Sequence, residues 1–322
     1  MLIEHQHPLN KSIMLSVLGA PNVGKSSLIN YLIGSDLSIV TNKEQTTRNK
    51  FHCVFTVDRT EIILVDTPGL HKSSQELNKR MNQQAREGSE GADINLLLLD
   101  LTRDLKPQLD NFVYHISKNL GRTWIVFTKS DLIQGSEEMD FTNFIQASKE
   151  LIPSIENHFV LSSESGNGVH HLIGAICDAA PSSPHLYTRG QLSNKNMRFF
   201  VCEYIRKQAF ELLKEEIPYE VAVLIESYEN CRKKDPESKI AAKIAASILV
   251  NRPSQRAIVV GKGGEMIKEI GTRARQSIEA LLGDQVSLNL HVKVSGKWFK
   301  NNFILEELGL PRAENSARVW RK

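Results

Sequence analysis

Gly19-Ala20-Pro21-Asn22-Val23-Gly24-Lys25-Ser26 decides how this chain is read. Two glycines flank four residues and are followed by Lys and Ser, the spacing of a phosphate-binding loop. Ile13–Leu18 precedes it as an apolar, strand-like run. Ser27–Ile33 follows with apolar residues spaced for one face of a helix. A strand, a glycine-rich turn and a helix N-terminus together form an anion site. Backbone N–H groups point at the phosphates and the helix dipole favours negative charge. In such a loop Lys25 reaches the outer phosphates and the Ser26 hydroxyl holds a magnesium ion.

Working outward, residues 12–180 alternate strand-like and helix-like segments. Ile13–Leu18, Ile62–Val65, Ile94–Leu99, Trp124–Phe127 and Phe159–Leu161 read as strands, and Leu77–Glu87 and Leu109–Lys118 as helices. Ile62–Val65 and Ile94–Leu99 are nearly uninterrupted apolar runs, as in strands covered on both faces. The pattern predicts an α/β fold with a mainly parallel sheet between helices. Phe51–Val57 and Arg59–Val65, joined at Asp58, read as a hairpin, which makes one edge strand antiparallel.

Three further segments belong with the phosphate loop. Asp66-Thr67-Pro68-Gly69 ends a buried strand, placing a carboxylate for magnesium and the Gly69 N–H for a terminal phosphate. Gln45-Thr46-Thr47-Arg48 lies between the first helix and the hairpin. A threonine there that binds magnesium only with the terminal phosphate present would make the loop a switch. Thr47 is the first choice and Thr46 the alternate. Thr128-Lys129-Ser130-Asp131 follows another strand. Asp131 can accept two hydrogen bonds from guanine, the Lys129 stem can cover the base, and adenine would leave the carboxylate unpaired. Ser162-Ser163-Glu164-Ser165-Gly166 is a turn that can bring a backbone N–H to the guanine carbonyl.

Pro181-Ser182-Ser183-Pro184 opens a linker over residues 181–196, and the element order then changes. Phe199–Leu213 reads as a helix, Tyr219–Tyr228 and Ile244–Val250 as strands, Glu265–Leu282 as two short helices broken near Gly271, and Val286–Val294 as a strand. Gly261-Lys262-Gly263-Gly264 lies before the first of these short helices. It fits the G-x-x-G loop of a KH domain, which clamps about four nucleotides of single-stranded backbone. Lys262 adds a phosphate contact, and Arg252, Arg256, Lys268, Arg273 and Arg275 lie nearby. Charge supports this placement: the net +3 of the chain divides into +8 over residues 182–322 and −5 over residues 1–181. Only the second half is therefore suited to a polyanion.

Composition narrows the classes. A chain of 322 residues suits about two domains, and 41% hydrophobic and 24% charged residues suit a soluble globular protein. Cys53, Cys177, Cys202 and Cys231 have no metal-ligand spacing and read as reduced thiols. Residues 1–10 lack the apolar run of a secretory signal. The longest apolar strand candidate ends at Asp100, far too short to span a bilayer.

The ordered set GAPNVGKS, QTTR, DTPG, TKSD and SSESG resembles translation-factor-related GTPases. DTPGLH with Leu77-Asn78 and Met81 resembles the bacterial Era family. Pro218-Tyr219-Glu220-Val221-Ala222-Val223 and His291-Val292-Lys293-Val294 are also similar to that family, so the resemblance runs from about Ile13 to Leu310. It implies a P-loop GTPase domain over residues 1–180 and an α+β type II KH domain over 197–310, followed by a polar basic tail over 311–322. It further implies GTP/GDP and Mg2+ as ligands, with nucleotide contacts from Gly19 to Ser27, Thr46, Thr47, Asp66, Gly69, Thr128, Lys129, Asp131, Ser162 and Ser163. Ser26, Thr47 and Asp66 would hold the metal. Gly261, Lys262, Gly263, Gly264, Lys268, Arg252 and Arg256 would hold RNA. The implied activity is GTP hydrolysis in small-subunit ribosome assembly, with the KH domain on the 3′ end of 16S ribosomal RNA and nucleotide state setting binding and release. A cytoplasmic monomer that meets the 30S subunit is expected, with peripheral attachment to the cytoplasmic face of the inner membrane as a further expectation.

The chain departs from the family at two informative places. Thr128 stands where the family has Asn, so the bridge between phosphate loop and base falls to a hydroxyl. Guanine preference is expected to survive through Asp131, and nucleotide affinity is what the change puts at stake. Leu70 occupies the position at which Ras-type enzymes carry a water-orienting Gln, so slow intrinsic hydrolysis is expected. Asn22 resembles an Asn that binds potassium in related GTPases. Lys25, with such an ion, would supply the charge stabilisation. Ser163, where the family often has Ala, is a mild change. His71 reads as a surface histidine of the switch loop and Trp298 and Phe299 as packing residues.

Overall fold

The computed structural model of the chain describes residues 6–41, 43, 46–70, 75–116, 120–135 and 139–312. These form two compact units, residues up to 70 with 81–194, and residues 75–80 with 195–312.

The first unit runs β1 (Lys11–Gly19), α1 (Lys25–Ile33), β2 (Phe51–Val57), β3 (Thr60–Asp66), α2 (Glu76–Glu90, from Met81 on), β4 (Ile94–Asp100), α3 (Leu105–His115), β5 (Thr123–Thr128), α4 (Thr142–Leu151), β6 (Ile155–Val160) and α5 (Val169–Ala179). Its six-stranded sheet has the order β2-β3-β1-β4-β5-β6. All neighbours pair in parallel except β2 and β3, which form the expected hairpin. Asp58 turns it with φ 53°, a left-handed conformation that Asp tolerates. β3 and β4 are buried along their whole length, which is why most of their residues are apolar, with Glu61 and Asn95 among the buried polar exceptions and a carboxylate, Asp66 or Asp100, ending each.

β6 begins four residues before the expected start and ends at Val160. It is an edge strand, and its exposed Glu156-Asn157-His158 stretch hides the apolar signal. Within residues 181–196, read from the sequence as linker, the backbone is irregular and the segment 181–194 is hydrogen-bonded to the first unit. The N–H groups of Leu186 and Tyr187 donate to the Glu61 carboxylate, a buried charge in β3 that needs partners. Val54 N–H donates to the Leu192 carbonyl and Ser193 Oγ to the His52 carbonyl, so this segment covers the edge of β2.

The second unit runs α6 (Met197–Leu212), α7 (Ile217–Glu220), β7 (Ala222–Asn230), α8 (Cys231–Lys234), β8 (Ala242–Val250), α9 (Pro253–Val260), α10 (Glu265–Leu282), β9 (Val286–Val294) and α11 (Asn302–Glu307). The sheet order is β7-β8-β9, antiparallel then parallel. Three expectations change. Tyr219 belongs to the short helix α7, started by Pro218 in its first turn, and the strand opens at Ala222. Glu265–Leu282 is one helix, because Ile270, Ala274 and Ile278 form a continuous buried stripe across Gly271. The helix break falls earlier, at the glycine loop between α9 and α10. Trp298 is fully buried and donates from Nε1 to the Glu220 carbonyl at 2.7 Å, a packing role as read. No described helix is long and apolar enough to cross a membrane.

Candidate functional site

Parallel strands in the order β3-β1-β4-β5-β6 bring their C-terminal ends to one rim. The phosphate loop leaves β1, Asp66 ends β3, Asp100 ends β4, Thr128 ends β5 and Ser162 follows β6. Strand order reverses at β1, where ligands of open parallel sheets bind. A cleft of about 300 Å3 opens there, lined by Asn22, Lys25, Ser26, Thr47, Gly69 and Lys129 among others.

The loop is shaped for an anion. Gly19 has φ 149°, and a Cβ there would lie 2.7 Å from the Leu98 carbonyl oxygen, so only glycine lets the loop hug β4. Asn22 is left-handed with φ 60°, and Gly24 caps α1 at φ 97°, which turns successive amides toward the cleft. Lys25 Nζ donates to the carbonyls of Gly19 and Ala20 at 3.1 and 2.8 Å. Burial lowers the Lys25 pKa to about 8, against the attraction of Asp66.

Beside Lys25, three oxygens gather. Ser26 Oγ and Thr47 Oγ1 lie 3.4 Å apart, and Thr47 Oγ1 donates to Asp66 Oδ2 at 3.3 Å. An all-oxygen set of two hydroxyls and a carboxylate suits a hard divalent cation such as Mg2+ and could hold one together with phosphate oxygens. Thr47 is therefore the threonine that meets Ser26 and Asp66, while Thr46 lines the cleft.

On the base side, Thr128 Oγ1 donates to the Val23 carbonyl at 2.6 Å. The hydroxyl thus makes the link to the phosphate loop. Lys129 takes a left-handed conformation, φ 61°, and its Nζ pairs with Asp100 Oδ2 at 2.6 Å. Asp131 is exposed at the loop's tip. Ser130 N–H donates to the Leu161 carbonyl, tying this loop to the one after β6. There Ser162 Oγ accepts from the N–H groups of Glu164 and Ser165, both at 3.1 Å. Ser162 is buried and shapes the turn from within, and Ser163 is half-buried.

Sequence reading missed three residues at this rim. Asp100 is fully buried and pairs with Lys129 and with Arg103. Burial pushes its pKa up, but hydrogen bonds from Lys129 and Thr102 outweigh this and hold it below the usual carboxylate range. Arg103 lines the cleft and donates to the Pro21 carbonyl at 3.3 Å. Ser38 donates to Asp66 Oδ2 at 2.5 Å. The one signal for Asp100 was a carboxylate closing an apolar strand, and Ser38 and Arg103 had none. Leu70 is buried in the core, so its side chain orients no water. Gln45 and His71 lie outside the described residues.

In the second unit the Gly261–Gly264 loop joins α9 to α10. Gly261, Gly263 and Gly264 have φ 77°, 61° and 85°. A Cβ on Gly261 would lie 2.7 Å from Met266 Cβ, so the turn into α10 requires glycine. Arg252, Arg256, Lys262 and Lys268 are exposed around it and carry no ion pair among the described residues. Arg273 and Arg275 are neutralised by Glu269 and Glu279. The loop therefore offers backbone amides, the N-terminus of an 18-residue helix and four open cations to a phosphate chain.

Fold and sites define a phosphate-loop nucleotide-binding protein with a second unit of KH type. The 50S ribosome-binding GTPase family matches residues 14–129 and the KH domain family residues 216–299. GTPase Era of Carboxydothermus hydrogenoformans is 34% identical over 304 residues, covering 94% of this chain and 99% of the relative. GTPase Era of Thermotoga maritima is 35% identical over 301 residues, covering 93% and 97%. A crystal structure of Era with MgGDPNP and nucleotides 1506–1542 of 16S ribosomal RNA superposes with TM-score 0.85 at 29% identity, covering 94% of this chain and 100% of that one. An Aquifex aeolicus Era variant bound to GDP·AlF4− gives 0.84 at 29%, with the same coverage. The chain belongs to the Era family of GTPases.

Proposed function

We propose that the chain binds and hydrolyses GTP with Mg2+ at the rim of its first unit and binds the 3′ end of small-subunit ribosomal RNA through its second, with nucleotide state controlling RNA binding and release during 30S assembly. The observation that carries the reading is the meeting of Lys25, Ser26, Thr47 and Asp66 at the mouth of a loop shaped for phosphate. Residues Gly19–Ser27 cradle the phosphates. Ser26, Thr47 and Asp66 would hold Mg2+. The Gly69 N–H senses the terminal phosphate, and Thr128, Lys129, Asp131 and the Ser162-Ser163 turn enclose the base. When bound, Mg2+ neutralises charge on the phosphates. Lys25 adds positive charge at the outer phosphates. Because Leu70 cannot orient water, turnover is slow without an activator. A potassium ion held at Asn22 would add charge stabilisation, and equal turnover in sodium and potassium would remove it from the scheme.

Gly261–Gly264, Arg252, Arg256, Lys262 and Lys268 hold the RNA backbone. The protein works as a cytoplasmic monomer. Its attachment to the inner membrane would be peripheral, since no described helix is long and apolar enough to span a bilayer. Filter binding of the full chain to a 3′-terminal small-subunit RNA fragment tests the reading. Tight binding lost in the Lys262→Asp, Gly263→Asp double variant, with basal GTP hydrolysis intact, is the expected result. No affinity at moderate salt would replace RNA by protein as the partner of the second unit.

A further inference from the structure

The connection after α1 contains a serine gripped from both sides. Asn30, on α1, donates from Nδ2 to the Ser38 carbonyl at 2.8 Å and accepts the Ser38 N–H on Oδ1, also at 2.8 Å. One side-chain amide thus satisfies both backbone groups of Ser38, as a neighbouring strand would. Leu37 and Ile39 on either side are buried. So held, Ser38 is 3% exposed, and its Oγ donates to Asp66 Oδ2 at 2.5 Å, a short bond typical of hydroxyl to carboxylate. Thr47 donates to the same oxygen from 3.3 Å.

The two donors differ in what holds them. Thr47 belongs to the loop that the proposed function makes nucleotide-responsive. Ser38 is fixed to α1, the helix that also presents Lys25 and Ser26. A carboxylate on a strand end can rotate about its terminal bond. If Thr47 alone oriented Asp66, the carboxylate would lose its guide whenever Thr47 turned to a cation.

We propose that Ser38, pinned by Asn30, is a positioning residue that holds the Asp66 carboxylate in register with Ser26, so that the magnesium position persists while Thr47 comes and goes. The inference rests on the reading of Ser26, Thr47 and Asp66 as the metal site. Partners that orient a metal-binding carboxylate commonly change metal affinity by about 10- to 100-fold when removed. Asn30→Ala should act through Ser38, leaving the hydroxyl present but unpinned.

The test is the release of fluorescent GDP from the full chain, measured from EDTA to excess Mg2+. In the unaltered protein, release slows as Mg2+ rises. In Ser38→Ala and in Asn30→Ala the Mg2+ midpoint should move upward by about tenfold or more. Release in EDTA should be unchanged, and the double variant should shift no further than Ser38→Ala. A Ser38→Ala protein that melts like the parent and keeps the same midpoint overturns the inference. So does equal acceleration with and without Mg2+, which would give Ser38 a general role in loop folding. If the unaltered protein shows no Mg2+ dependence, the metal site itself falls, and this inference with it.

Discussion

Thr128→Val removes one hydroxyl at the junction of phosphate loop and base loop. The nearer acceptor of that hydroxyl is the Val23 carbonyl at 2.6 Å, and the farther one is the Leu99 carbonyl at 3.2 Å. The two side chains are nearly isosteric, so the change leaves no cavity and removes only the hydroxyl. That hydroxyl donates to the Val23 carbonyl at 2.6 Å, between residues that are 2% and 0% exposed. Water cannot take its place. A buried acceptor left without its donor costs about 1–3 kcal/mol. At about 1.4 kcal/mol per tenfold, that corresponds to roughly 5- to 150-fold in an equilibrium constant. The cost divides between two readouts. Part appears as lower stability of the nucleotide-free chain. The rest appears as weaker nucleotide binding, because a looser loop must be ordered around the phosphates. Thermal melting without nucleotide and titration with fluorescent GDP at fixed Mg2+ measure both parts. Their sum should fall in the stated range, while GDP is still preferred over ADP because Asp131 is untouched. A variant that melts and binds like the parent would refute the assignment of Thr128 as the tie.

Three other outcomes are expected. Lys25 titrates near 8 before nucleotide binds, and phosphate favours its charged form. Binding should therefore take up a proton above pH 8 and weaken by about tenfold per pH unit there, with no such slope below; calorimetry in two buffers of different ionisation enthalpy measures the uptake. Asp131→Asn should shift preference from guanine to xanthine nucleotides in competition binding, and retained GTP selectivity would count against Asp131 as the base reader. Gly261→Ala forces a Cβ to 2.7 Å from Met266 Cβ at φ 77°. It should weaken RNA binding by roughly 5- to 150-fold by filter assay through strain of about 1–3 kcal/mol, with basal GTP hydrolysis unchanged.

Much of this architecture was legible because burial on both faces writes itself into sequence. β3 and β4 are mostly apolar, with Glu61 and Asn95 among the exceptions, and the loops between such strands carry residues with few other uses. Where burial is partial, the signal fades. β6 lies at a sheet edge and spends its middle on Glu156, Asn157 and His158. Pro and Ser in residues 181–196 mark irregular backbone, not freedom. The amides of Leu186 and Tyr187 are fixed by Glu61, and a carboxylate inside the strand Thr60–Asp66 was the available hint. Gly271 suggested a break by propensity, yet the helix runs through it, because Ile270, Ala274 and Ile278 bury one continuous stripe. α9 could have been found, since Pro253 opens it and the Gln255 side chain returns to the Arg252 N–H. Ser38 and Arg103 could not, because their roles exist only once β3, β4 and the phosphate loop share a rim, and Asp100 offered only a carboxylate closing an apolar strand.

The central claim is that the cleft lined by Lys25, Ser26, Thr47 and Lys129 receives a guanine nucleotide with Mg2+. Calorimetric titration of the purified full chain with GDP in excess Mg2+ tests it most directly. A single saturating site, lost in Lys25→Ala and absent with ADP, is the predicted result. A folded chain that gives no heat with GDP or GTP would contradict it.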